Sequence, residues 1–219
     1  MNEYLQILNE YSNEQYLMYS KSLTESEWGN MEATLDYLKK YYIPLNDHTE
    51  KFEGIQNSIF YSNTLGLPDK VFKDGVSLHA VKGGILFEKV EFERLQNCIR
   101  MMGDESLIII QNDYNKTVKK PLLRMKYPVN VTWSELMSGN FVSTVLFEMF
   151  ANEYFVFSES GNWGKYSAND YDYPLDIIGF KPEFESVFTS YFTQSKEEHE
   201  EIYEWLPELY KKLIKSNIN

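Results

Sequence analysis

The spacing of apolar residues alternates between helical and strand periods along the chain. In the first 42 residues apolar positions recur every three or four residues, which predicts helices that end before Pro44. Residues 43 to 75 hold scattered prolines and glycines between short apolar groups, so loops and short helical turns are expected there. Residues 88 to 102 return to helical spacing, and Gly103 provides a stop signal.

Strand patterns begin at Val76. The alternation over residues 76 to 81, followed by Lys82-Gly83-Gly84, predicts a hairpin whose second strand is Ile85-Leu86-Phe87. Pro121 lacks the N–H that a central strand needs, so either its strand lies at a sheet edge or Pro121 stands at the start of the strand. The apolar runs that predict further strands are residues 107 to 110, 122 to 127, 153 to 157, 163 to 168 and 175 to 180.

The order of these elements predicts an α+β fold. Residues 153 to 157 are apolar on both faces, so they are expected to form a central strand covered by helices. Two amphipathic helices close the chain, and Pro207 is expected to break the second. Short turns between strands favour a mainly antiparallel sheet flanked by helices in a single domain over residues 1–219. Within it we expect a helical N-terminal part at 1–45 and C-terminal helices at 182–215.

Charge and cysteine content narrow the class of protein. With 33 acidic and 21 basic residues the formal net charge is -12. Proteins that bind nucleic acid or anionic membranes carry basic surface that neutralises phosphate, so the charge of this chain has the opposite sign. We therefore expect neither nucleic acid nor a membrane as partner, and no apolar run reaches the roughly 18 residues that span a bilayer. Cys98 is the only cysteine, so no internal disulfide exists. These features predict a cytoplasmic protein.

Motifs for catalysis or metal binding are absent from the sequence. His48, His79 and His199 each lack a second His or Cys at metal-ligand spacing. A calcium loop that starts at Asp170 fails, because its sixth position is Leu175 where glycine is needed. The sequence predicts no catalytic residue, no metal site and no cofactor, and we expect a protein that is not an enzyme.

Acidic charge is concentrated between residues 127 and 180. This stretch holds seven acidic residues against Lys165 alone, and its acids are interleaved with aromatic residues in turn-rich sequence. Aromatic anchors and steering carboxylates are typical of protein interfaces. The predicted partner-binding residues are Glu159, Trp163, Tyr166, Asp170, Tyr171, Asp172 and Tyr173. In the alternative interpretation Trp163 and Tyr166 pack in the core and the acids form ordinary solvated surface.

The same stretch resembles a known family. The run YFVFSESGNWGKY, from Tyr154 to Tyr166, and DYDYP, from Asp170 to Pro174, resemble the C-terminal part of immunity proteins of bacterial polymorphic-toxin systems. The resemblance covers roughly residues 76 to 180. It implies a cytoplasmic protein without activity of its own, which neutralises a toxin domain by binding it. Many such toxins are basic nucleases, so the implied partner is a cationic toxin domain.

Two other classes of function stay open at this point. One is a hydrolase or transferase that uses carboxylates such as Glu153, Glu159 and Asp170 in a cleft. The other is an intracellular adaptor or regulatory module whose C-terminal helices mediate self-association. Carboxylates that converge in a deep pocket favour an enzyme, whereas a broad acidic face favours a binding protein.

Overall fold

Helices surround a sheet in the computed structural model, which describes residues 37, 40–61, 64, 66–83, 86–112, 124–138, 153–168 and 174–214. Most of the predicted N-terminal helical part, residues 1–36, lies outside the described residues. The helices are α1 (Leu45–Asp47), α2 (Glu53–Ile59), α3 (Lys89–Met101), α4 (Trp133–Ser138), α5 (Glu185–Tyr191), α6 (Lys196–Trp205) and α7 (Glu208–Leu213), with a π-helical turn at His48–Phe52 and a 3₁₀ turn at Pro182–Phe184. None of the helices in these ranges is long and apolar enough to cross a membrane.

Six strands form one antiparallel sheet. They are β1 (Ser77–Lys82), β2 (Ser106–Gln111), β3 (Arg124–Pro128), β4 (Tyr154–Phe157), β5 (Trp163–Ser167) and β6 (Leu175–Phe180). Their order is β1-β6-β5-β4-β2-β3, and every neighbouring pair is antiparallel. The predicted α+β class is therefore confirmed, and β3, the strand after Pro121, lies at an edge, the first of the two positions that Pro121 allowed.

Both faces of the sheet are covered. On the first face Tyr154 and Val156 of β4 share a core with apolar residues of α3, α4 and α5. On the second face Phe155 and Phe157 share a core with residues of α2, α6 and α7. Because successive side chains of a strand point to opposite faces, a strand between two helical layers must be apolar throughout. This confirms that β4 is a central strand covered by helices.

The predicted hairpin after β1 is wrong. β1 pairs along its whole length with β6, from Ser77 opposite Phe180 to Lys82 opposite Leu175. Gly83 is required for a close approach between backbones, since an ideal Cβ there would lie 2.8 Å from the Leu175 nitrogen. Its amide donates to the Pro174 carbonyl oxygen over 2.7 Å. The glycine signal therefore marks the contact between β1 and the start of β6.

The other local predictions have mixed outcomes. Residues 45 to 59 form a continuous helical segment where loops and short turns were expected, and Gly54 lies inside it without ending it. Helix α3 ends just before Gly103, whose φ of 79° is left-handed as a C-terminal stop requires. Pro207 separates α6 from α7, as expected from its missing N–H.

Two opposed glycines admit aromatic rings on the second face. Gly164 of β5 lies opposite Gly179 of β6. An ideal Cβ on Gly164 would collide with the Phe60 ring and lie 2.9 Å from Ile59 Cγ2, and one on Gly179 would lie 2.5 Å from the Phe72 ring. The rings of Phe60 and Phe72 pack together with centroids 5.0 Å apart. The glycine pair therefore makes room for this aromatic contact directly above the sheet.

A matched pair of alanine substitutions tests this packing. Gly164→Ala is expected to lower the free energy of unfolding by about 1–3 kcal/mol, because the new methyl group overpacks the core against Phe60. Gly54→Ala has open space around an ideal Cβ and lies in a helix, so it is expected to raise stability by about 0.5–1 kcal/mol. Urea denaturation measures both, and equal effects would contradict the packing explanation.

Candidate functional site

Glu159 lies in the turn between β4 and β5. Its Oε2 is 2.7 Å from Lys126 Nζ on the edge strand β3, and it accepts a hydrogen bond of 2.9 Å from Ser106 Oγ. The lysine holds the pKa of this carboxyl below its ordinary value. The side chain is about half exposed, so Glu159 is a charged surface residue that is tied to neighbouring strands.

Trp163 and Tyr166 lie in the core, which corrects their prediction as surface anchors. Trp163 is 1% exposed, belongs to the core of the first face and donates from Nε1 to Asp104 Oδ2 over 3.0 Å. Tyr166 is fully buried on the second face, 5.4 Å from the ring of Phe155. Side chains this deeply buried do not contact a partner, so the packing interpretation holds for both.

The strand order also divides the predicted surface. Asp170, Tyr171, Asp172 and Tyr173 lie outside the described residues. The residues that flank them, Ala168 and Pro174, are at the opposite end of β5 from Glu159. At about 3.3 Å per residue, β5 and its flanks place the two ends roughly 20 Å apart. Glu159 therefore does not belong to the same surface as those flanking residues.

The carboxylates that the enzyme alternative would place in one cleft are also separated by the strand order. Glu153 and Glu159 flank opposite ends of β4. Glu153 is buried and its Oε2 accepts a hydrogen bond of 2.8 Å from Asn112 Nδ2. The structure therefore does not bring Glu153 and Glu159 together, and Asp170 is not described.

A buried charged cluster lies on the first face instead. Lys165 of β5 is completely buried, with Nζ 2.7 Å from Asp176 Oδ2 of β6 and 2.8 Å from Glu91 Oε1 of α3. The ammonium group also lies 4.2 Å from the Phe87 ring centroid and donates to the Leu86 carbonyl oxygen. This cluster was not predicted from the sequence, because the only base of an acidic stretch gives no sign that its side chain is buried.

The two carboxyl groups of the cluster differ in their hydrogen bonds. Asp176 accepts hydrogen bonds of 3.2 Å from Ser167 Oγ and from the Ala168 amide, in addition to its ion pair. Glu91 has only its ionic contact with Lys165 and a weaker contact with the backbone of Glu88 at the start of its own helix. Asp176 is therefore the better stabilised anion of the two.

These contacts decide where a proton resides. Burial raises the pKa of Glu91 to about 7, although the charge of Lys165 opposes the shift. Burial also raises the pKa of Asp176, again against Lys165. Burial disfavours the charged form of Lys165, but its two carboxylate neighbours outweigh this effect and raise its pKa. Near neutral pH the cluster therefore holds a protonated lysine and a Glu91 that titrates.

Leu86 is held in an unusual backbone conformation beside this cluster. Its φ is 65°, in the left-handed region that a leucine rarely occupies, at a cost of about 1–3 kcal/mol. The side chain is completely buried, and the carbonyl oxygen accepts from Lys165 Nζ. Core packing and this charge-assisted hydrogen bond offset the backbone strain.

A cavity of about 230 Å³ opens next to Glu91. Gln194 donates from Nε2 to the Ala80 carbonyl oxygen over 2.6 Å and lies 3.3 Å from His79 Nε2. Burial lowers the pKa of His79 to about 4, so its imidazole is neutral at physiological pH. The lining residues are His79, Val81, Lys82, Glu88, Val90, Glu91, Arg94, Phe192, Gln194 and Glu198.

Helix α6 carries the densest acidic surface in the described ranges. Its side chains Glu197, Glu200 and Glu204 are exposed and follow one another at helical spacing, and we call them the α6 acidic face. Tyr203 lies beside them and is 46% exposed. On the other side of the helix, Ile202 packs into the core of the second face.

An ion pair fixes α6 to the sheet beside the cavity. Lys82, at the end of β1, places Nζ 2.6 Å from Glu201 Oε2 and 5.8 Å from the Trp205 ring centroid. Lys82 also lines the cavity, together with Glu198 of α6. The helix and the cavity therefore share the end of the sheet to which Pro174 belongs.

Other chemical features of the described residues are limited. None of their His, Cys, Asp and Glu side chains form a group of three or more that could hold a metal ion. Cys98 is buried in α3, and burial raises the pKa of its thiol to about 12. A neutral thiol of this kind behaves as a small core residue.

Comparisons with known proteins identify no relative. No family model, no curated protein and no solved structure matches this chain. The resemblance to immunity proteins therefore rests on the quoted residues alone. What the chain does must be inferred from the geometry of the acidic helix, the buried cluster and the cavity.

Removal of the buried lysine tests the role of the cluster. Lys165→Met is expected to lower the free energy of unfolding by about 3–5 kcal/mol, because it leaves Glu91 and Asp176 buried without a cation. Lys126→Met removes the cation of a half-exposed pair and is expected to cost less than about 1 kcal/mol. Similar losses in urea denaturation would show that the buried cluster is no stronger a constraint than the surface pair.

The titration of Glu91 predicts a pH-dependent stability. With a pKa of about 7 in the folded chain against an ordinary 4.5, Glu91 contributes stability that is full below about pH 4.5 and lost by about pH 7. Glu91→Gln lacks this titration. The stability of the variant relative to the natural chain is therefore expected to rise by about 3 kcal/mol from pH 4.5 to 7.5 in urea denaturation.

His79 and Glu93 define the controls for this experiment. The lowered pKa of His79 gives a contribution of the opposite sign, lost as pH falls, but it is present in both proteins and cancels in their difference. Glu93→Gln removes an exposed carboxylate of the same helix and is the control for the loss of one acidic side chain. A difference for Glu91→Gln that does not change with pH would contradict the assignment.

Proposed function

We propose that this chain is a non-catalytic cytoplasmic binding protein of the immunity type, which neutralises a cationic toxin domain by covering it. The observation that carries the proposal is the α6 acidic face with Tyr203 exposed beside it. Charged side chains on a helix are ordinary, whereas an exposed tyrosine among carboxylates has the composition of an interface anchor with a steering surround.

The exposed apolar residues favour the same surface. In the described residues five large apolar side chains are exposed, and Tyr203, Leu209 and Leu213 belong to α6 and α7. Glu208 adds an exposed carboxylate at the start of α7. A partner that covers α6 and α7 would bury this apolar area and meet the carboxylates of α6, which fits a cationic protein. Helix α7 also brings positive charge to the same surface, since Lys211 Nζ lies 5.5 Å from the Tyr203 ring centroid and Lys212 follows it.

Charge on the whole chain supports a cationic partner. The net charge of -12 attracts a basic protein at long range and raises the rate of encounter. Asp170 and Asp172 adjoin Pro174 in sequence, and Pro174 lies at the same end of the sheet as Lys82 and α6. Glu159 lies at the other end and is not part of the proposed contact. The proposed surface is therefore that of α6 and α7.

Charge reversal on α6 tests the proposal. The partner to use is a purified toxin domain, taken from the gene directly upstream where that gene encodes a large secreted protein with a variable C-terminal domain. Glu204→Lys is expected to reduce the association rate constant about 3- to 10-fold at low salt and to flatten its dependence on ionic strength. Tyr203→Ala is expected to raise the dissociation rate constant, because it removes an aromatic side chain that the bound partner would bury. Stopped-flow fluorescence measures both.

Glu183 provides the matched control. It is exposed in the 3₁₀ turn that follows β6, at the opposite end of the sheet from Lys82. Glu183→Lys changes the net charge as much as Glu204→Lys does. If both substitutions slowed association equally, the effect would come from the overall charge of the chain and not from the surface of α6. No complex with the natural chain would contradict the proposed function, as would self-association that Tyr203→Ala abolishes.

A further inference from the structure

We propose that residues 86 to 91, which lead into α3 and form its first turn, are a proton-controlled switch. We call them the entry segment. It packs on the sheet while Glu91 carries a proton and opens into solvent when that proton is lost. The switch is separate from the surface of α6 and α7 proposed for the toxin partner, and it does not depend on that function.

The buried cluster holds two carboxyl groups for one ammonium group. Lys165 Nζ lies 2.7 Å from Asp176 Oδ2 and 2.8 Å from Glu91 Oε1, and all three side chains are buried. If all three were ionised, the core would hold an uncompensated negative charge, which a low-dielectric interior strongly disfavours. The cluster becomes neutral in two ways. Either a proton resides on one carboxyl group, or one carboxylate moves into solvent.

The geometry selects Glu91 for both roles. Asp176 is anchored in β6, which pairs with β1 and β5, and its carboxylate accepts hydrogen bonds of 3.2 Å from Ser167 Oγ and from the Ala168 amide. Glu91 has only Lys165 and a weaker contact with the backbone of its own helix. Movement of Asp176 would break the sheet, whereas movement of Glu91 opens one helical turn. Lys165 and Asp176 then remain as a one-to-one ion pair.

The entry segment is held by opposing forces. Leu86 and Phe87 are buried, which favours the closed form. Leu86 pays for this position with a left-handed φ of 65°, and opening relieves that strain. Glu88 makes no capping hydrogen bond through its side chain within the described residues, so the first turn of α3 is weakly fixed. The cavity lined by Glu88, Val90 and Glu91 leaves open space beside this turn. A segment balanced in this way has two states that one proton can bias.

Several charged or titratable groups face Glu91 from the surrounding elements. They are Lys165 of β5, Asp176 of β6, His79 and Lys82 of β1, Glu88 and Arg94 of α3 and its N-terminus, and Glu198 of α6. Burial lowers the pKa of His79 to about 4, so its imidazole is neutral from pH 5.5 upward. Burial raises the pKa of Asp176 as well, so the two carboxyl groups compete for one proton. A variant of Asp176 is therefore needed to separate them.

The sign of the pH dependence follows from Glu91. Burial raises its pKa to about 7 in the closed form, against an ordinary value of 4.5 in solvent. The contribution of Glu91 to closure is therefore full below about pH 4.5 and is lost as the pH rises through 7. The entry segment is expected to open more often at pH 8 than at pH 5.5.

Hydrogen exchange measured by NMR on the full chain tests this opening. The reporter is the Phe92 amide, which donates to the Glu88 carbonyl oxygen over 2.9 Å. Its protection factor, corrected for the intrinsic pH dependence of exchange, is expected to fall about 10-fold or more from pH 5.5 to 8. Ile109, in the central strand β2, is expected to stay better protected. Equal protection of Phe92 and Ile109 at both pH values would refute a local opening, as would a Phe92 protection that does not change.

Two variants of α3 assign the pH dependence to Glu91. Glu91→Gln keeps the shape of the protonated side chain and is expected to give a Phe92 protection that is the same at pH 5.5 and 8. Glu93→Gln removes an exposed carboxylate of the same helix and is expected to retain the pH dependence of the natural chain. Persistence of the effect in Glu91→Gln, or its loss in Glu93→Gln, would contradict the proposal.

Asp176→Asn tests the count of two carboxyl groups per ammonium group. Glu91 then becomes the single anion beside Lys165, so it is expected to stay ionised and packed, and the fall in Phe92 protection above pH 5.5 is expected to disappear. An unchanged fall would show that the second carboxyl group plays no part, which contradicts the mechanism. Ile109 reports whether the variant is folded, and if it is not, Glu91→Gln decides the question because it preserves a neutral cluster.

Discussion

Burial of the Lys165 ammonium group constrains more of this fold than any other single interaction. A buried lysine is tolerated only when carboxylates reach it, and here one comes from the neighbouring strand β6 and the other from the first turn of α3. The same ammonium group also binds the carbonyl oxygen of Leu86 in the segment that leads into α3. One side chain therefore connects two strands, a helix and the turn before that helix.

This cluster also defines the register of β5. A slip by one residue would turn Lys165 to the second face, away from both Glu91 and Asp176 and into the aromatic packing of Phe155 and Tyr166. The opposed Gly164 and Gly179 act in the same direction, because a slip would bring side chains into the space occupied by Phe60 and Phe72. Charge on one face and shape on the other thus specify the same pairing.

Patterns in the sequence predicted what local periodicity determines. The helix α3, the strands β2 to β6 and the break at Pro207 follow from spacing and from single breakers. The hairpin at Gly83 failed, since a glycine that permits close approach of a distant strand looks the same as a glycine that permits a turn. Trp163 and Tyr166 failed as surface residues for a related reason. Their aromatic and acidic context is the same whether the rings face solvent or the core, and only the pairing of β5 between β4 and β6 decides it.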